Sequence, residues 1–240
     1  MIKQAFILAA GLGSRMGELT KEISKGMIEV AGQSLITRLI DQLVEHGVTR
    51  IVINIFYKAD SLIEHVKVHM KTHPAFIKVI FSKESELLNN GGGIINAAHY
   101  LEDEPFFVVN NDSVFLGQEN AFSFLNRNWK DSMRTLFLLT PLEKAIGHNG
   151  KGDFSLDKKE RLILSTDSNP PYVYIGTHIS KPEIFVPHKV SKIGLMDIYK
   201  KFLSTNVFEN MHGVVCPGQW LHVGTPEALD EATHFIKNYK

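Results

Sequence analysis

The chain has one cysteine in 240 residues, Cys216. A disulfide within the chain is therefore excluded, and a reducing compartment fits. Cys216 follows Val214 and Val215, so its thiol reads as a packed small side chain rather than a nucleophile. Neither sign of charge is in excess: Lys plus Arg and Asp plus Glu number 26 each. That balance leaves no electrostatic footprint for nucleic acid or a membrane surface, and neither is expected as a partner. Long apolar runs are also missing. The N-terminal run Ala5-Phe6-Ile7-Leu8-Ala9 stops at a glycine loop, too short for a signal peptide or a membrane span, so a cytoplasmic location is expected. Internal repeats, low-complexity stretches and long linkers do not occur. What remains is an ordinary globular composition, 44% hydrophobic and 22% charged, in a chain long enough to bury roughly three-quarters of its unfolded surface.

Periodicity then organises the chain. Ala5–Ala9 reads as a short buried strand. Gly26–Gly32 reads as a brief extended segment closed by a turn. Ser34 is a natural N-cap for a helix through His46, with Leu35, Ile36, Leu39, Ile40, Leu43 and Val44 at helical spacing and Gly47 as C-terminal cap. Arg50–Ile55 is a strand apolar on both faces, as a covered parallel sheet requires. The spacing predicts a helix over Asp60–Lys71, a strand over Phe76–Phe81, a helix opened by Gly91-Gly92-Gly93 and running to Leu101, and a strand over Phe106–Asn110. This alternation implies an α/β fold, Rossmann-like and doubly wound, with a mostly parallel mixed sheet. The second half has an α+β character. Helices are predicted over Phe122–Trp129, from Pro182, over Ile193–Leu203 and over Pro226–Asn238. Strands are predicted over Thr135–Leu139 and Tyr172–Ile179, with a hairpin turning at Lys158-Lys159-Glu160. No clean boundary divides the halves, so one domain over 1–240 is expected, with the second half elaborating the same sheet.

Two familiar phosphate-binding patterns fail. Gly11-x-Gly13-x-x-x-Gly17 misses the dinucleotide spacing by one residue, and no acidic residue ends the second strand. Gly150-Lys151-Gly152 lacks the spacing and the hydroxyl of a P-loop. The loop Leu8-Ala9-Ala10-Gly11-Leu12-Gly13-Ser14-Arg15-Met16 nonetheless suits an anion. Closely set backbone N–H groups form a concavity, and Arg15 adds a planar fork for phosphate oxygens. By itself it is also compatible with a tight turn.

The extended series is more specific. The loop is followed by Leu19-Thr20, Lys25 and Val30-Ala31-Gly32-Gln33-Ser34-Leu35-Ile36. Glu86 precedes Gly91-Gly92-Gly93-Ile94, and Val108-Val109-Asn110-Asn111-Asp112 comes next. Gly147-His148, Gly152-Asp153-Phe154 and Trp220-x-x-Val223-Gly224-Thr225-Pro226-Glu227 complete the set. Together they resemble the sugar-1-phosphate nucleotidyltransferases over nearly the whole chain, and most of all the N-acetylmuramate-1-phosphate uridylyltransferase branch. Phosphocholine cytidylyltransferases are similar over the first half. The resemblance implies transfer of a nucleotidyl group, with UTP favoured, onto a sugar 1-phosphate, releasing pyrophosphate. It implies a nucleotide-binding part over about 1–116 and a sugar-phosphate-binding part over about 117–240.

The resemblance also implies roles for residues. Arg15 and Lys25 would be catalytic, neutralising the triphosphate and the α-phosphate. Ala10, Gly11, Gly13, Ser14, Glu86, Gly91 and Gly92 would bind the nucleotide. Asn110, His148, Asp153 and Lys192 would bind the sugar phosphate. Asp112 would hold a divalent metal, magnesium or manganese, with His222 as a second ligand.

Four positions depart from the family pattern. His222 stands where an aspartate is usual; magnesium prefers oxygen ligands and manganese accepts imidazole. This implies a changed metal preference, or else a chain that binds nucleotide without turning it over. Ser24 and Gly26 replace prolines around Lys25, Asn111 replaces a glycine, and Asn90 replaces a threonine.

Overall fold

The computed structural model describes residues 1–164, 169–204 and 210–239. The chain enters on β1 (Gln4–Leu8), turns through a hairpin of β2 (Glu29–Val30) and β3 (Gln33–Ser34), and returns along α1 (Leu35–His46). The Ser34 side chain accepts from the Thr37 N–H, and Gly47 closes the helix at φ 102°, as the cap residues imply. Three further parallel strands follow, β4 (Arg50–Ile55), β5 (Lys78–Lys83) and β6 (Phe106–Asn110). Between them lie α2 (Ala59–Met70) and α3 (Asn89–Ala97). The order β5-β4-β1-β6 is parallel throughout.

The second half continues from that sheet. It contributes β7 (Ser113–Leu116), α4 (Ala121–Asn128), β8 (Thr135–Pro141), β9 (Phe154–Leu156), β10 (Leu162–Leu164), β11 (Tyr172–Ser180), α5 (Leu195–Ser204), β12 (Met211–Val215), β13 (Gln219–His222) and α6 (Pro226–Asn238). β11 runs antiparallel to β6 and to β8, β12 lies parallel to β8, and the β9–β10 hairpin extends the β11 edge. One nine-stranded mixed sheet thus carries both halves. β7 and β13 form a separate antiparallel pair.

Alternation along the central strands divides the core in two. Ala5, Ile7, Ile51, Ile53, Phe107 and Val109 face α1, α2 and α4; Phe6, Val52, Phe106 and Val108 face α3 and α5. This is the period of two expected for strands buried on both sides. A third cluster joins Met16, Ile28, Val30, Val114, Leu221 and Val223 to Ala232 on α6. It lies under the segments that carry Lys25 and Asp112.

Several boundaries move. β5 begins at Lys78 rather than Phe76, because Pro74 starts a turn in which the Ile77 N–H bonds the Pro74 carbonyl. α3 begins at Asn89 and gives way to a 3-10 turn over Ala98–Tyr100. The segment Ser14–Thr20 is not an open loop but 3-10 turns broken at Gly17 (φ 56°, ψ −123°). No helix among the described residues is long and apolar enough to cross a membrane.

Candidate active site

At the C-terminal ends of β1, β4 and β6 a cleft of about 490 Å³ opens, where an open α/β sheet accommodates ligands. One rim is the turn after β1, with Ala10, Gly11, Gly13, Ser14 and Arg15. Gly13 is required there: its φ is +66°, and a Cβ would stand 2.9 Å from Thr20 Cγ2 and 3.1 Å from Lys25 Cβ. The Gly13 carbonyl accepts from the Met16 N–H and the Thr20 hydroxyl, which closes the turn. Tyr57 Oη holds its far end through the carbonyls of Thr20 and Lys21. Arg15 projects from this rim and is exposed.

Buried polar groups form the floor. Asn54 Oδ1 accepts from the Ala9 N–H at 2.7 Å, and Asn54 Nδ2 donates to Glu84 Oε1 at 2.8 Å. Glu84 Oε2 in turn accepts from the Leu88 N–H at 3.0 Å. The ends of β1, β4 and β5 and the start of α3 are thereby tied together. Gly93 permits the approach, because a Cβ would meet Asn54 Nδ2 at 2.5 Å and Glu84 Oε1 at 2.6 Å. Neither Asn54 nor Glu84 stood out in the sequence. The usable signal was a polar residue inside or just beyond an otherwise apolar strand, which must find a partner when buried.

Lys25 and Asp112 meet at the other end. Lys25, only 8% exposed, begins a 3-10 turn and places Nζ 2.8 Å from Asp112 Oδ2. His222 Nε2 lies 3.5 Å from the same oxygen. Backbone pairing fixes this arrangement: Ser113 faces His222 in the β7–β13 pair, and the Val223 N–H donates to the Asp112 carbonyl. The His222 ring stacks on Trp220 at 5.6 Å, and Trp220 Nε1 donates to Ser113 Oγ, which donates to the Ile175 carbonyl. That carbonyl sits in a register shift of β11 beside Gly176 (φ +76°), where a Cβ would stand 2.7 Å from Asn110 Nδ2. Burial pushes the Asp112 carboxyl up, but the adjacent His222 imidazole and the Lys25 charge outweigh it and hold the group well below the usual carboxylate range.

The remaining residues expected from the sequence lie at differing depths. Asn110 lines the cleft. Glu86 is exposed beside Leu87, and Lys192 is exposed two residues before Gly194; Leu87 and Gly194 line the cleft. Gly91 and Gly92 sit behind the wall. The Gly91 N–H donates to Asn90 Oδ1, and the Gly92 N–H donates to the Ile193 carbonyl. A Cβ on Gly92 would be 2.1 Å from the Ser191 carbonyl oxygen, so these glycines serve close approach of protein to protein. The cleft instead presents Asn89 and Asn90. The His148 ring lies 6.3 Å from that of His222. Asp153 accepts from the Tyr174 N–H at 2.8 Å and so braces β11.

The Asp112 end fits a divalent cation. One carboxylate oxygen and one imidazole nitrogen already converge there, a mixed pair that suits manganese, cobalt or zinc better than magnesium. The glycine turn at the opposite rim, Arg15 and Lys25 supply donors and positive charge for an extended polyanion between the two ends.

Comparison with known proteins points the same way. The profile described as the MobA-like NTP transferase domain matches residues 5–137. Over 230 residues, 94% of this chain and 93% of the relative, the sequence is 33% identical to the N-acetylmuramate alpha-1-phosphate uridylyltransferase of Caulobacter vibrioides. It is 28% identical over 236 residues to a UTP–glucose-1-phosphate uridylyltransferase of Haloferax volcanii, covering 95% of this chain and 94% of that one. The UDP-glucose pyrophosphorylase from Acinetobacter baumannii shares the fold, with a TM-score of 0.80 over 100% of this chain and 95% of that chain at 16% identity.

Proposed function

Because the chain belongs to the MobA-like NTP transferase family, as a nucleotidyltransferase of the sugar-1-phosphate kind, we propose that it transfers a uridylyl group from UTP to an N-acetylmuramate-1-phosphate-like acceptor. The observation that carries this reading is the meeting of Lys25 Nζ and His222 Nε2 on Asp112 Oδ2, across a cleft from the Gly11–Arg15 turn. The relative in Caulobacter vibrioides supports the acceptor, since its name states that substrate and the similarity runs the length of both chains. We assign the nucleotide to the part over about 1–116 and the sugar phosphate to the part over about 117–240.

An oxygen of the sugar phosphate attacks the α-phosphorus in line, the bond to the β-phosphate breaks, and pyrophosphate leaves with the electron pair. Such a transfer asks the protein for positioning and charge neutralisation rather than covalent chemistry. The N–H groups of the Gly11–Ser14 turn and Arg15 hold the β- and γ-phosphates. Lys25 leaves Asp112 to stabilise charge at the α-phosphate. Asp112 and His222 would hold a divalent metal, which when bound would neutralise phosphate charge as a Lewis acid. Asn110, His148, Asp153 and Lys192 form the acceptor side, with Asp153 acting through β11. The base lies against the Leu87–Asn90 wall. Asn90 lines the cleft, and its Oδ1 is occupied by the Gly91 and Leu195 N–H groups, which leaves Nδ2 as the amide's donor to a ligand. A donor there matches the carbonyl edge of a pyrimidine.

The test is pyrophosphate release with a panel of nucleoside triphosphates and sugar 1-phosphates, run with magnesium and then with manganese. UTP with N-acetylmuramate 1-phosphate should give the highest kcat/KM, and manganese should exceed magnesium. Preference for CTP with phosphocholine would overturn the assigned substrates in favour of the cytidylyltransferase reading. One observation favours a further reading, an imidazole where the family pattern has a second carboxylate. Nucleotide binding without turnover in any pairing would establish a binding protein on this fold, and a His222→Asp variant that gains magnesium-dependent turnover would identify the limiting residue.

A further inference from the structure

Three metal-ligating side chains converge at the joint between α1 and α2. Asp41 lies on α1, His69 in the last turn of α2, and His73 four residues beyond it. The turns that close α2, with the Thr72 N–H on the His69 carbonyl and the His73 N–H on the Met70 carbonyl, bring the two imidazoles together. His69 Nε2 is 2.6 Å and His73 Nε2 2.9 Å from the same atom, Asp41 Oδ1, and the two ring nitrogens are 3.1 Å apart. The other carboxylate oxygen, Asp41 Oδ2, accepts from Gln33 Nε2 at 2.6 Å, which fixes the plane of the group.

Hydrogen bonding alone is a poor account of this cluster. With both Nε2 atoms protonated, two N–H groups 3.1 Å apart oppose each other; with either one bare, its lone pair faces the Asp41 carboxylate oxygen. A cation that replaces both protons removes that conflict. Around zinc, with bonds of about 2.0–2.2 Å, neighbouring tetrahedral ligands stand about 3.3 Å apart. The three separations here, 2.6, 2.9 and 3.1 Å, need to open by about 0.2–0.7 Å to reach that spacing.

We propose that Asp41, His69 and His73 form a transition-metal site of the zinc class, with water completing the coordination. Two imidazoles and a carboxylate select zinc, cobalt, nickel or copper over magnesium and calcium. The side chains of His69, His73 and Asp41 are 21%, 15% and 38% exposed, so the ion has an entry path and room for its water. Gln33 acts as the group that orients the carboxylate ligand. A bound ion fastens the end of α2 to α1, the helix whose N-terminus packs on the turn carrying Lys25. This site does not depend on the reading of the cleft.

The test uses the full chain without a polyhistidine tag, stripped with a chelator. An Asp112→Asn background removes the cleft carboxylate as a competing ligand. Calorimetric titration with zinc chloride should give one equivalent bound. His69→Gln or His73→Gln should weaken binding about a hundredfold, and Gln33→Ala about tenfold. Glutamine keeps a donor for Asp41, which favours retention of the fold. A second measurement needs no ligand variant: zinc should protect His69 and His73 from diethylpyrocarbonate, read by peptide mass. Absence of a zinc equivalent in the Asp112→Asn protein, undiminished binding in His69→Gln, or unprotected histidines would each overturn the proposal.

Discussion

Gly26 and Asn111 share one space: a Cβ on Gly26 would stand 2.9 Å from Asn111 Nδ2. Both positions depart from the family pattern, which has proline beside the lysine and glycine before the aspartate. The two residues flank Lys25 and Asp112, whose side chains meet at 2.8 Å. Their packing therefore borders the lysine–aspartate contact.

That shared space predicts coupling. Gly26→Ala should destabilise the protein, since the new methyl meets Asn111 Nδ2 at 2.9 Å and Ile36 Cβ at 3.3 Å. In an Asn111→Gly background the first conflict disappears and only the second remains. A double-mutant cycle by urea denaturation should show a coupling of about 1 kcal/mol. Strictly additive effects would mean that the two residues do not share their space.

Gly92→Ala tests the wall of the cleft. The added Cβ would lie 2.1 Å from the Ser191 carbonyl oxygen and 3.0 Å from Leu88 Cβ. Backbone is the obstacle, so relief requires displacing the 191–194 segment and breaking the bond from the Gly92 N–H to the Ile193 carbonyl. The cost should be about 2–3 kcal/mol, with faster amide exchange at Ile193, whose N–H is held by the Leu88 carbonyl. Unchanged stability would show that the segment yields freely.

The glycines mark where sequence reasoning reaches its limit. α1, with Ser34 and Gly47 at its ends, was legible because its signals are local, and so were β4, β6 and α6. β12 pairs with β8 and β13 with β7, across distances in sequence that no local pattern encodes, and neither strand was expected. The resemblance implies that Gly91 and Gly92 bind the nucleotide. In the structure both closely approach the 191–194 segment, which only the tertiary fold brings there. The Gly11–Arg15 turn, Lys25 and Asp112 were legible as a spaced series. The floor made by Asn54 and Glu84 was not: Asn54 is a single polar residue in an apolar strand, and Glu84 is one of five polar residues in the run 82–86.

Acid should destabilise the fold through His178. This histidine is fully buried in β11, stacked on Phe137 at 4.7 Å, between Tyr174 Oη and Tyr199 Oη at 2.6 Å each. Burial pushes its pKa down to about 3. The unfolded chain protonates near pH 6.5 and the folded one does not, so stability is full above pH 6.5 and falls as the pH drops toward 3. Between pH 7.5 and 4.5 this group should remove roughly 2–3 kcal/mol. A His178→Gln variant, though less stable at pH 7.5, should lose that part of the slope in urea denaturation at the two pH values. An identical slope would exclude His178 as its source.

Asp112→Asn separates binding from turnover. The carboxylate holds Lys25 at 2.8 Å and His222 at 3.5 Å, and its negative charge faces the space assigned to a triphosphate. Without metal, that charge repels the nucleotide and occupies the lysine meant for it. Replacing it with an amide frees Lys25 and removes the repulsion. Metal-free UTP should then bind about fivefold tighter, corresponding to about 1 kcal/mol for one partly screened charge. Turnover with metal should fall by about a hundredfold or more, the usual loss when a group that stabilises transition-state charge is removed. A structural role alone would weaken both together. Equilibrium binding in the presence of a chelator, beside pyrophosphate release with manganese, distinguishes the two, and weaker metal-free binding would remove Asp112 from the role assigned to it.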